Sequence, residues 1–318
     1  MSDETKKQRN GGDGIDRRGF LQCMAWVGTA VVWRMGSGGV LTSSVLGAGK
    51  PEEAAGDFCF AQISDSHIGF TKEPNKDVTA TLQVAIDRLN RLKTRPELVL
   101  HTGDLTHLSR PAEFDTVDQM MRGAKGGPTF YVPGEHDVFT DDGRAYLDRY
   151  GKGTKGGGWY SFDHRGVHFV GLVNVMNLKA GGLGVLGGEQ LRWLEDDLKG
   201  RGSSTPIVVF AHVPLWAVYP KWGWGTEDAA QAVSLLKRFG CVSVLNGHIH
   251  QVMQKVEGNV TFHTARSTAF PQPEPGTADS PGPLKSVPAG KLKSLLGLAQ
   301  VNYRENGGSL AVVDSTLE

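Results

Sequence analysis

Residues 58–67 of the 318-residue chain read FCFAQISDSH and indicate both a sheet and a site at its edge. Its first part, Phe58–Ser64, is a short run of the kind that predicts a β-strand. Asp65 and His67 follow at once, and both carry groups that can bind a metal ion. In open α/β sheets, sites assemble beyond the carboxyl ends of strands, so this pattern predicts a site at a sheet edge.

The same pattern recurs four times further along the chain, each time just past a predicted strand. The segments are Gly103-Asp104, Gly134-Glu135-His136-Asp137, Ala211-His212 and Gly247-His248-Ile249-His250. Since the carboxyl ends of strands form one rim, these loops can converge from distant positions. Asp65/His67 and His248/His250 are i,i+2 pairs, whose side chains point to the same side of an extended backbone. Gly103, Gly134 and Gly247 each precede a candidate ligand and let the backbone turn sharply at the end of its strand.

Short β-rich runs alternate with helical patterns from about residue 57 onward, which predicts a single α/β domain over 57–318. We expect strands at Phe58–Ser64, Glu97–His101, Thr129–Val132, Tyr160–Asp163, Val167–Val173, Ile207–Ala211, Cys241–Leu245, Val260–Thr264 and Leu310–Asp314. We expect helices at Asp77–Leu92, Pro111–Arg122, Glu189–Lys199 and Thr226–Phe239. Six of the 15 prolines fall in 271–288, so residues 271–296 are predicted to form a Pro-rich loop within the domain.

Residues 1–56 are predicted to be an export signal with a linker, outside the fold. Arg17 and Arg18 precede Phe20, Leu21 and an apolar run to Trp33, a pattern that resembles a twin-arginine signal. The protein is therefore expected to be periplasmic or otherwise exported by the export machinery. An uncleaved membrane anchor is the alternative, because 20–46 could nearly span a bilayer if Arg34 snorkels.

The composition excludes several classes of protein. With 39% hydrophobic residues and 8% aromatic residues, the chain is neither disordered nor a polytopic membrane protein. Lys and Arg number 34, as do Asp and Glu, so no net field attracts long nucleic acids. Only 3 cysteines are present, which excludes a disulfide scaffold and a Cys-rich zinc module. The sequence does not predict an oligomeric state.

The chemistry of the donor groups indicates a pair of metal ions. Carboxylates and imidazoles without a thiolate suit Mn, Fe, Zn or a mixed pair. The ligand candidates are too many for one tetrahedral ion, whereas two ions that share a carboxylate would use them all. A single D-x-H, G-D or H-x-H motif is more often structural, as a solvated turn or a cap. Five such motifs in order at strand ends favour a site.

The order D-x-H, G-D, G-N-H-[DE], H and G-H-x-H resembles the calcineurin-like metallophosphoesterase superfamily over roughly 57–264. The resemblance implies a two-sheet β-sandwich flanked by helices, with two metal ions at the strand ends. It implies that Asp65, His67 and His250 bind the first ion, His212 and His248 bind the second, and Asp104 bridges them. It also implies that His136 contacts the phosphate and assists the leaving group. Asp137 would orient His136 and stabilise its charge. His107, close to Asp104, could support the same site.

The expected function is metal-dependent hydrolysis of a small phosphate ester, by attack of a hydroxide that bridges two divalent or trivalent ions. One alternative is a cyclic-nucleotide or nucleotide phosphodiesterase. Its support is a loop with Trp216, Tyr219, Trp222 and Trp224, which could stack on a base or equally pack against the sandwich. Another alternative is a non-catalytic protein that binds metal or phosphate.

Glu135 departs from the family pattern, in which this position is an asparagine that binds the second ion. A carboxylate can bind the ion too, but it changes the charge of the site. Asp65, Asp104 and Glu135 contribute −3, two divalent ions +4 and a hydroxide −1, which sums to zero. A less positive site should attract dianionic monoesters less, so Glu135 favours monoanionic diesters and hard metals such as Mn or Fe. The alternative is that Glu135 points away from the site.

Overall fold

The computed structural model describes residues 31–35, 41–45, 57–176, 178, 181–305 and 309–318. Arg17, Arg18, Phe20 and Leu21 of the expected export signal therefore lie outside the described residues. Two strands, β1 (Val31–Met35) and β2 (Leu41–Val45), pair antiparallel. Among the helices of these ranges, none combines the length and the apolar character that crossing a bilayer requires.

Five strands form the first sheet of the sandwich. They are β3 (Phe58–Ile63), β4 (Val99–His101), β5 (Thr129–Tyr131), β12 (Gly297–Arg304) and β13 (Ser309–Thr316). Their order is β13-β12-β3-β4-β5, with β3, β4 and β5 parallel and the other pairs antiparallel. The three parallel strands therefore present their carboxyl ends at one edge.

Six strands form the second sheet. They are β6 (Tyr160–His164), β7 (Val167–Gly171), β8 (Ile207–Ala211), β9 (Val242–Asn246), β10 (Gln254–Glu257) and β11 (Val260–Thr264). Their order is β10-β11-β9-β8-β7-β6, in which β11, β9, β8 and β7 are parallel. Antiparallel β6 and β10 close its two edges.

In the described residues, six α-helices accompany the sheets. They are α1 (Val78–Leu89), α2 (Pro111–Met121), α3 (Arg144–Tyr150), α4 (Gly188–Leu198), α5 (Ala229–Leu236) and α6 (Leu292–Leu295). Asp77 caps α1 by accepting a hydrogen bond from Ala80 N at 2.9 Å. The apolar stripe of α1, which includes Leu82 and Ile86, packs with α2 on the outer face of the first sheet. Helices α4 and α5 cover the second sheet in the same way.

The inner faces of the two sheets form an apolar core. Phe60 and Leu100 of the first sheet pack with Phe169, Phe210 and other residues of the second. The rings of Phe60 and Phe169 meet edge to face, with centroids 5.3 Å apart. The predicted fold class, an α/β two-sheet sandwich flanked by helices, is confirmed. The core fixes the two sheets face to face and so determines which strand ends adjoin.

The structure adds elements that the sequence patterns did not predict, namely β1, β2, β10, β12, α3 and α6. It also shortens the fourth predicted helix, because Thr226 lies before the actual cap at Asp228 and α5 begins at Ala229. Thr226 instead donates a hydrogen bond to Pro214 O at 3.0 Å. Residues 271–296 form the expected loop, except that the single turn of helix α6 lies near its end.

Candidate metal centre

Loops from both sheets meet at one edge of the sandwich. The first sheet supplies the residues that follow β3, β4 and β5, and the second supplies those that follow β8 and β9. Groups of three His, Asp or Glu side chains from these loops place their ligand atoms within 4.8 Å of one another. The groups relevant to the expected site are Asp65, His67 and His250; Glu135, His212 and His248; and Asp65, Asp104 and His212. The structure thus gathers every residue expected to bind metal.

The backbone at this edge adopts a conformation that L-amino acids rarely take. The residues with positive φ include Asp65 at 53°, His67 at 42°, Asp104 at 51°, His248 at 71° and His250 at 55°. Left-handed backbone costs roughly 1–2 kcal/mol for a residue with a side chain, and such strain collects at functional sites. The surrounding fold therefore holds these side chains in place against their local preference.

Asp65, His67 and His250 form the first group. His250 Nε2 lies 3.3 Å from Asp65 Oδ1 and 3.2 Å from His67 Nε2. His250 Nδ1 donates to the carbonyl of Phe270 at 2.5 Å, so its Nε2 carries the lone pair. All three side chains are buried. Buried nitrogen and oxygen lone pairs that face one another suit a cation between them.

Glu135, His212 and His248 form the second group. Glu135 places Oε2 2.8 Å from His212 Nε2 and Oε1 3.0 Å from His248 Nδ1. His212 Nδ1 donates to Thr102 O at 2.7 Å, which again leaves Nε2 for the site. Glu135 thus points into the cluster, and the alternative in which it points away is wrong.

Asp104 lies between the two groups. Its Oδ2 is 3.4 Å from both His67 Nε2 and His212 Nε2. Its Oδ1 accepts a hydrogen bond from the backbone N of His136 at 2.9 Å. This is the position from which one carboxylate can serve two ions, as the resemblance implied for Asp104.

The ionisation of these groups reflects burial and close charges. Burial opposes charge on Glu135, yet His248 and His212 hold the pKa of its carboxyl well below the usual range. Burial also opposes charge on His212, but Asp104 and Glu135 raise the pKa of its imidazole well above the usual value. Burial and neighbouring imidazoles lower the pKa of His67. The Glu135 carboxyl is therefore ionised, and carboxylate oxygens beside imidazole nitrogens form a donor set that fits divalent metal ions.

His136 lies beside this cluster, and contacts with His107 fix the position of its ring. Its Nδ1 lies 2.8 Å from the carbonyl of His107, to which it donates. The ring of His107 stacks on that of His136 with centroids 4.8 Å apart at 16°. His107 Nδ1 is also 3.4 Å from His67 Nδ1. The free edge of His136 is therefore the one with Nε2, which is available to a substrate.

Asp137 keeps one of its two expected roles, because its charge helps to raise the pKa of His136, but it does not orient the ring. Its carboxylate accepts hydrogen bonds from the backbone N of Gly134, Leu105 and Thr106 and from Thr106 Oγ1, at 2.8–3.0 Å. The His107 carbonyl, and not Asp137, orients the His136 ring. This correction has a simple reason: a buried carboxylate takes the nearest unpaired backbone donors. Asp137 thus joins the loops after β4 and β5.

Two glycines permit the close approach of these loops. A Cβ on Gly103, whose φ is +95°, would lie 2.5 Å from His212 Nδ1. A Cβ on Gly134 would collide with Asp104 Oδ1, although the φ of Gly134 is an ordinary −96°. Gly134 is thus required for space and not for a turn.

The sequence patterns did not predict that residues 267–272 support the site. Ser267 Oγ donates to Asp65 O at 2.8 Å, and Gln272 Nε2 donates to His248 O at 3.0 Å. The ring of Phe270 lies 4.7 Å from the rings of both His67 and His250. This segment therefore fixes the strained loops. Its only sequence signal was its place directly after strand β11.

The aromatic loop packs inward. Trp222 and Trp224 are 7% and 1% exposed, with ring centroids 5.1 Å apart. They pack against Ile249, which lies between His248 and His250. Trp216 packs on Phe262. The loop therefore supports the metal-site backbone, and Trp222 and Trp224 are not available to stack on a base.

Comparisons with known proteins agree with this arrangement. Residues 59–252 match the family described as calcineurin-like phosphoesterase. A glycerophosphodiester phosphodiesterase of Enterobacter lignolyticus is 26% identical over 223 residues, or 67% of this chain and 78% of that protein. A 3′,5′-cyclic-nucleotide phosphodiesterase of Nostoc sp. is 24% identical over 217 residues, or 66% of this chain and 78% of that protein.

The fold is also found in solved structures. A dimetal phosphatase from Danio rerio superposes with a TM-score of 0.57 at 15% identity, covering 82% of this chain and 98% of that chain. A purple acid phosphatase from yellow lupin superposes with a TM-score of 0.56 at 12% identity, covering 89% of this chain and 58% of that chain. At these identities the superpositions show a shared fold.

Proposed function

Because this chain belongs to the calcineurin-like phosphoesterase family, we propose that it hydrolyses small phosphate esters with two bound metal ions. The observation that supports this most is the convergence of three carboxylates and four imidazoles at one sheet edge. Asp65, His67 and His250 would hold one ion. Glu135, His212 and His248 would hold the other, and Asp104 would serve both.

Divalent ions at these groups would activate water and neutralise negative charge on the phosphate. The remaining chemistry belongs to His136. Burial opposes its protonation, but Asp104, Glu135 and its bond to the His107 carbonyl raise the pKa of His136. A protonated Nε2 can give its proton to the departing alkoxide, while the bond at Nδ1 holds the ring in position.

We propose phosphodiesters as the preferred esters. Glu135 lies inside the cluster, and its negative charge disfavours a dianionic monoester relative to a monoanionic diester. Two of the similar proteins are named as phosphodiesterases, one for glycerophosphodiesters and one for cyclic nucleotides. Trp222 and Trp224 are buried and Trp216 and Tyr219 are half-buried, so the aromatic loop gives little support for a nucleotide, and the small diester is the broader class.

We also propose that the protein is exported through the twin-arginine route. The support is the sequence Asp16-Arg17-Arg18-Gly19-Phe20-Leu21-Gln22 ahead of an apolar run. Residues 1–56 fused to a reporter should carry it to the periplasm, and replacing Arg17 and Arg18 with lysine should retain it in the cytoplasm. Equal export of both fusions would contradict the proposal.

The hydrolase proposal is tested with chromogenic phosphodiesters and phosphomonoesters in the presence of Mn²⁺. His136→Asn should lower kcat by about 10²–10⁴ while the bound metal, measured by elemental analysis, is retained. His164→Asn is a matched control, because His164 pairs with Glu97 away from the cluster. Metal binding without turnover of any ester would instead indicate a non-catalytic binding protein.

A further inference from the structure

Phe139 is an apolar side chain that the fold does not bury. Among the side chains that the structure describes, the exposed large apolar ones are Phe139 at 63%, Val256 at 45% and Val313 at 36%. Val256 and Val313 lie on strands β10 and β13, where the outer face of a sheet meets water. Phe139 lies at the candidate metal centre, two residues after Asp137.

The backbone around Phe139 is held firmly. Val138 is 7% exposed and packs in a cluster with Trp159 and Val213. On the other side, the hydroxyls of Ser109 and Thr140 are 2.7 Å apart, and Thr140 N donates to Ser109 Oγ at 3.3 Å. The fold thus presents the Phe139 ring outward from a fixed turn, so the protein backbone would lose little entropy when a ligand contacts the ring.

The Phe139 ring lies beside the imidazole of His136. Their centroids are 5.8 Å apart and the planes are inclined at 36°. His107 stacks on His136 and its carbonyl binds Nδ1, so the Nε2 edge is left for the substrate. A leaving group whose oxygen reaches Nε2 would therefore bring the atoms that follow that oxygen close to Phe139.

We infer that Phe139 determines specificity for the leaving group, selecting alcohols with an aromatic or extended apolar part. The inference rests on the proposed function, since it assigns a substrate class to the same site. Contact between an aryl group and a preformed aromatic surface removes apolar area from water and adds a favourable ring–ring contact. The exposed Phe139 ring contributes little to folding, and contact with the leaving group would give it a function.

The test uses one unsymmetrical diester, methyl 2-phenylethyl phosphate, whose two alcohols have similar acidity. Water adds to phosphorus, one P–O bond breaks, and the products are one alcohol and the monoester of the other. The ratio of 2-phenylethanol to methanol thus reports which group occupied the leaving side, independently of the overall rate. We expect about ten to one for the wild type and about one to one for Phe139→Ala.

Two further variants separate the ring from general effects. Phe139→Trp keeps an aromatic surface and should keep the bias, while Val256→Ala removes an exposed apolar side chain elsewhere and should leave ratio and rate unchanged. A ratio near one in the wild type, a bias that persists in Phe139→Ala, or preferred release of methanol would each overturn the inference. No hydrolysis of this or any other ester would instead overturn the proposed function.

Discussion

At the scale of the single residue, Glu135 sets the charge of the candidate centre. Its two oxygens lie 2.8 Å from His212 Nε2 and 3.0 Å from His248 Nδ1, so its charge is felt where a phosphate would bind. An asparagine there would keep an oxygen donor and remove one negative charge. Substitution of Glu135 therefore tests how the charge of the site affects the preference between phosphomonoesters and phosphodiesters.

Glu135→Asn should raise the ratio of kcat/KM for monoesters over diesters by about tenfold, since a more positive site attracts the dianion more strongly. The measurement is steady-state kinetics on a monoester and a diester of the same alcohol. Glu189→Gln, at an exposed position of α4, is the matched control. An unchanged ratio in Glu135→Asn would remove the charge argument for diesters.

Asp137 acts on the backbone of two loops. Its carboxylate accepts from Gly134 N, Leu105 N, Thr106 N and Thr106 Oγ1. Burial and the neighbouring Asp104 raise its pKa to about 7. Loss of this side chain would leave several buried donors without an acceptor.

Asp137→Ala should lower the free energy of unfolding by about 3 kcal/mol, because buried donors lose their acceptor and a cavity is left. Urea unfolding followed by circular dichroism provides the value. Asp148→Ala, an exposed aspartate on α3, should change stability by less than about 0.5 kcal/mol. Equal stability of the two variants would show that Asp137 does not join the loops.

The sequence sufficed to predict which side chains gather here, because each follows a strand end and the order of motifs is specific. It did not suffice for the partners of those side chains. Asp137 was expected on His136, but its geometry is set by how the loops after β4 and β5 approach each other. Phe270 and Ser267 were missed because their contacts to the site join residues far apart in the chain.

At the scale of the elements, a cluster of one buried histidine and two aspartates joins helix α4 to the edge of the second sheet. His168 on β7 places Nδ1 2.8 Å from Asp163 on β6 and Nε2 2.7 Å from Asp197 on α4. Burial would raise the pKa of Asp197, but bonds from His168 and Ser161 hold it below the usual value. Burial would also raise the pKa of Asp163, which is more exposed, but His168 and Arg201 hold it below the usual value.

A carboxyl group whose pKa is lower in the folded state stabilises the fold above its unfolded pKa and loses that contribution as the pH falls. Stability should therefore decrease below about pH 4, and Asp197→Asn should flatten this acid limb and cost about 1–3 kcal/mol at pH 7. Chemical denaturation from pH 3 to 7 measures both effects. Asp196→Asn, on the exposed side of α4, should behave like the wild type.

The elements that the sequence predicted are those with strong patterns. The stripe of α1 and the apolar strands β7, β8 and β9 were found because burial requires regular spacing. Strand β10, Gln254–Glu257, is polar and mostly exposed at a sheet edge, so its pairing leaves no apolar signal. Helix α3 is short and lies between Gly143 and Gly151, so its sequence carries too few turns to show a helical pattern. Strand β12 alternates buried and half-exposed residues and could have been identified.

At the scale of the whole molecule, the candidate centre joins the two sheets. Asp65, Asp104 and Glu135 come from the first sheet, and His212, His248 and His250 come from the second. Without cations, three carboxylates face one another in a mostly buried site whose backbone is strained. Bound metal should therefore stabilise the entire fold and not the loops alone.

Removal of metal by a chelator should lower Tm by about 10 °C, and added Mn²⁺ should restore it. Differential scanning fluorimetry and elemental analysis on the same samples measure the effect. His212→Ala should start from a lower Tm and respond less to the chelator. A metal-free wild type that melts at the same temperature as the loaded protein would show that the cluster binds no stabilising ion.

The wide spacing of the clustered side chains along the chain also orders events during synthesis. A nascent polypeptide that has emerged only as far as β8 presents Asp65, Asp104 and Glu135 but not yet His248 or His250. If two metal ions bind as proposed, their full set of donors is therefore present only after His250 has been translated. The compartment in which the loops come together around the site therefore determines which metal ions are available to the protein.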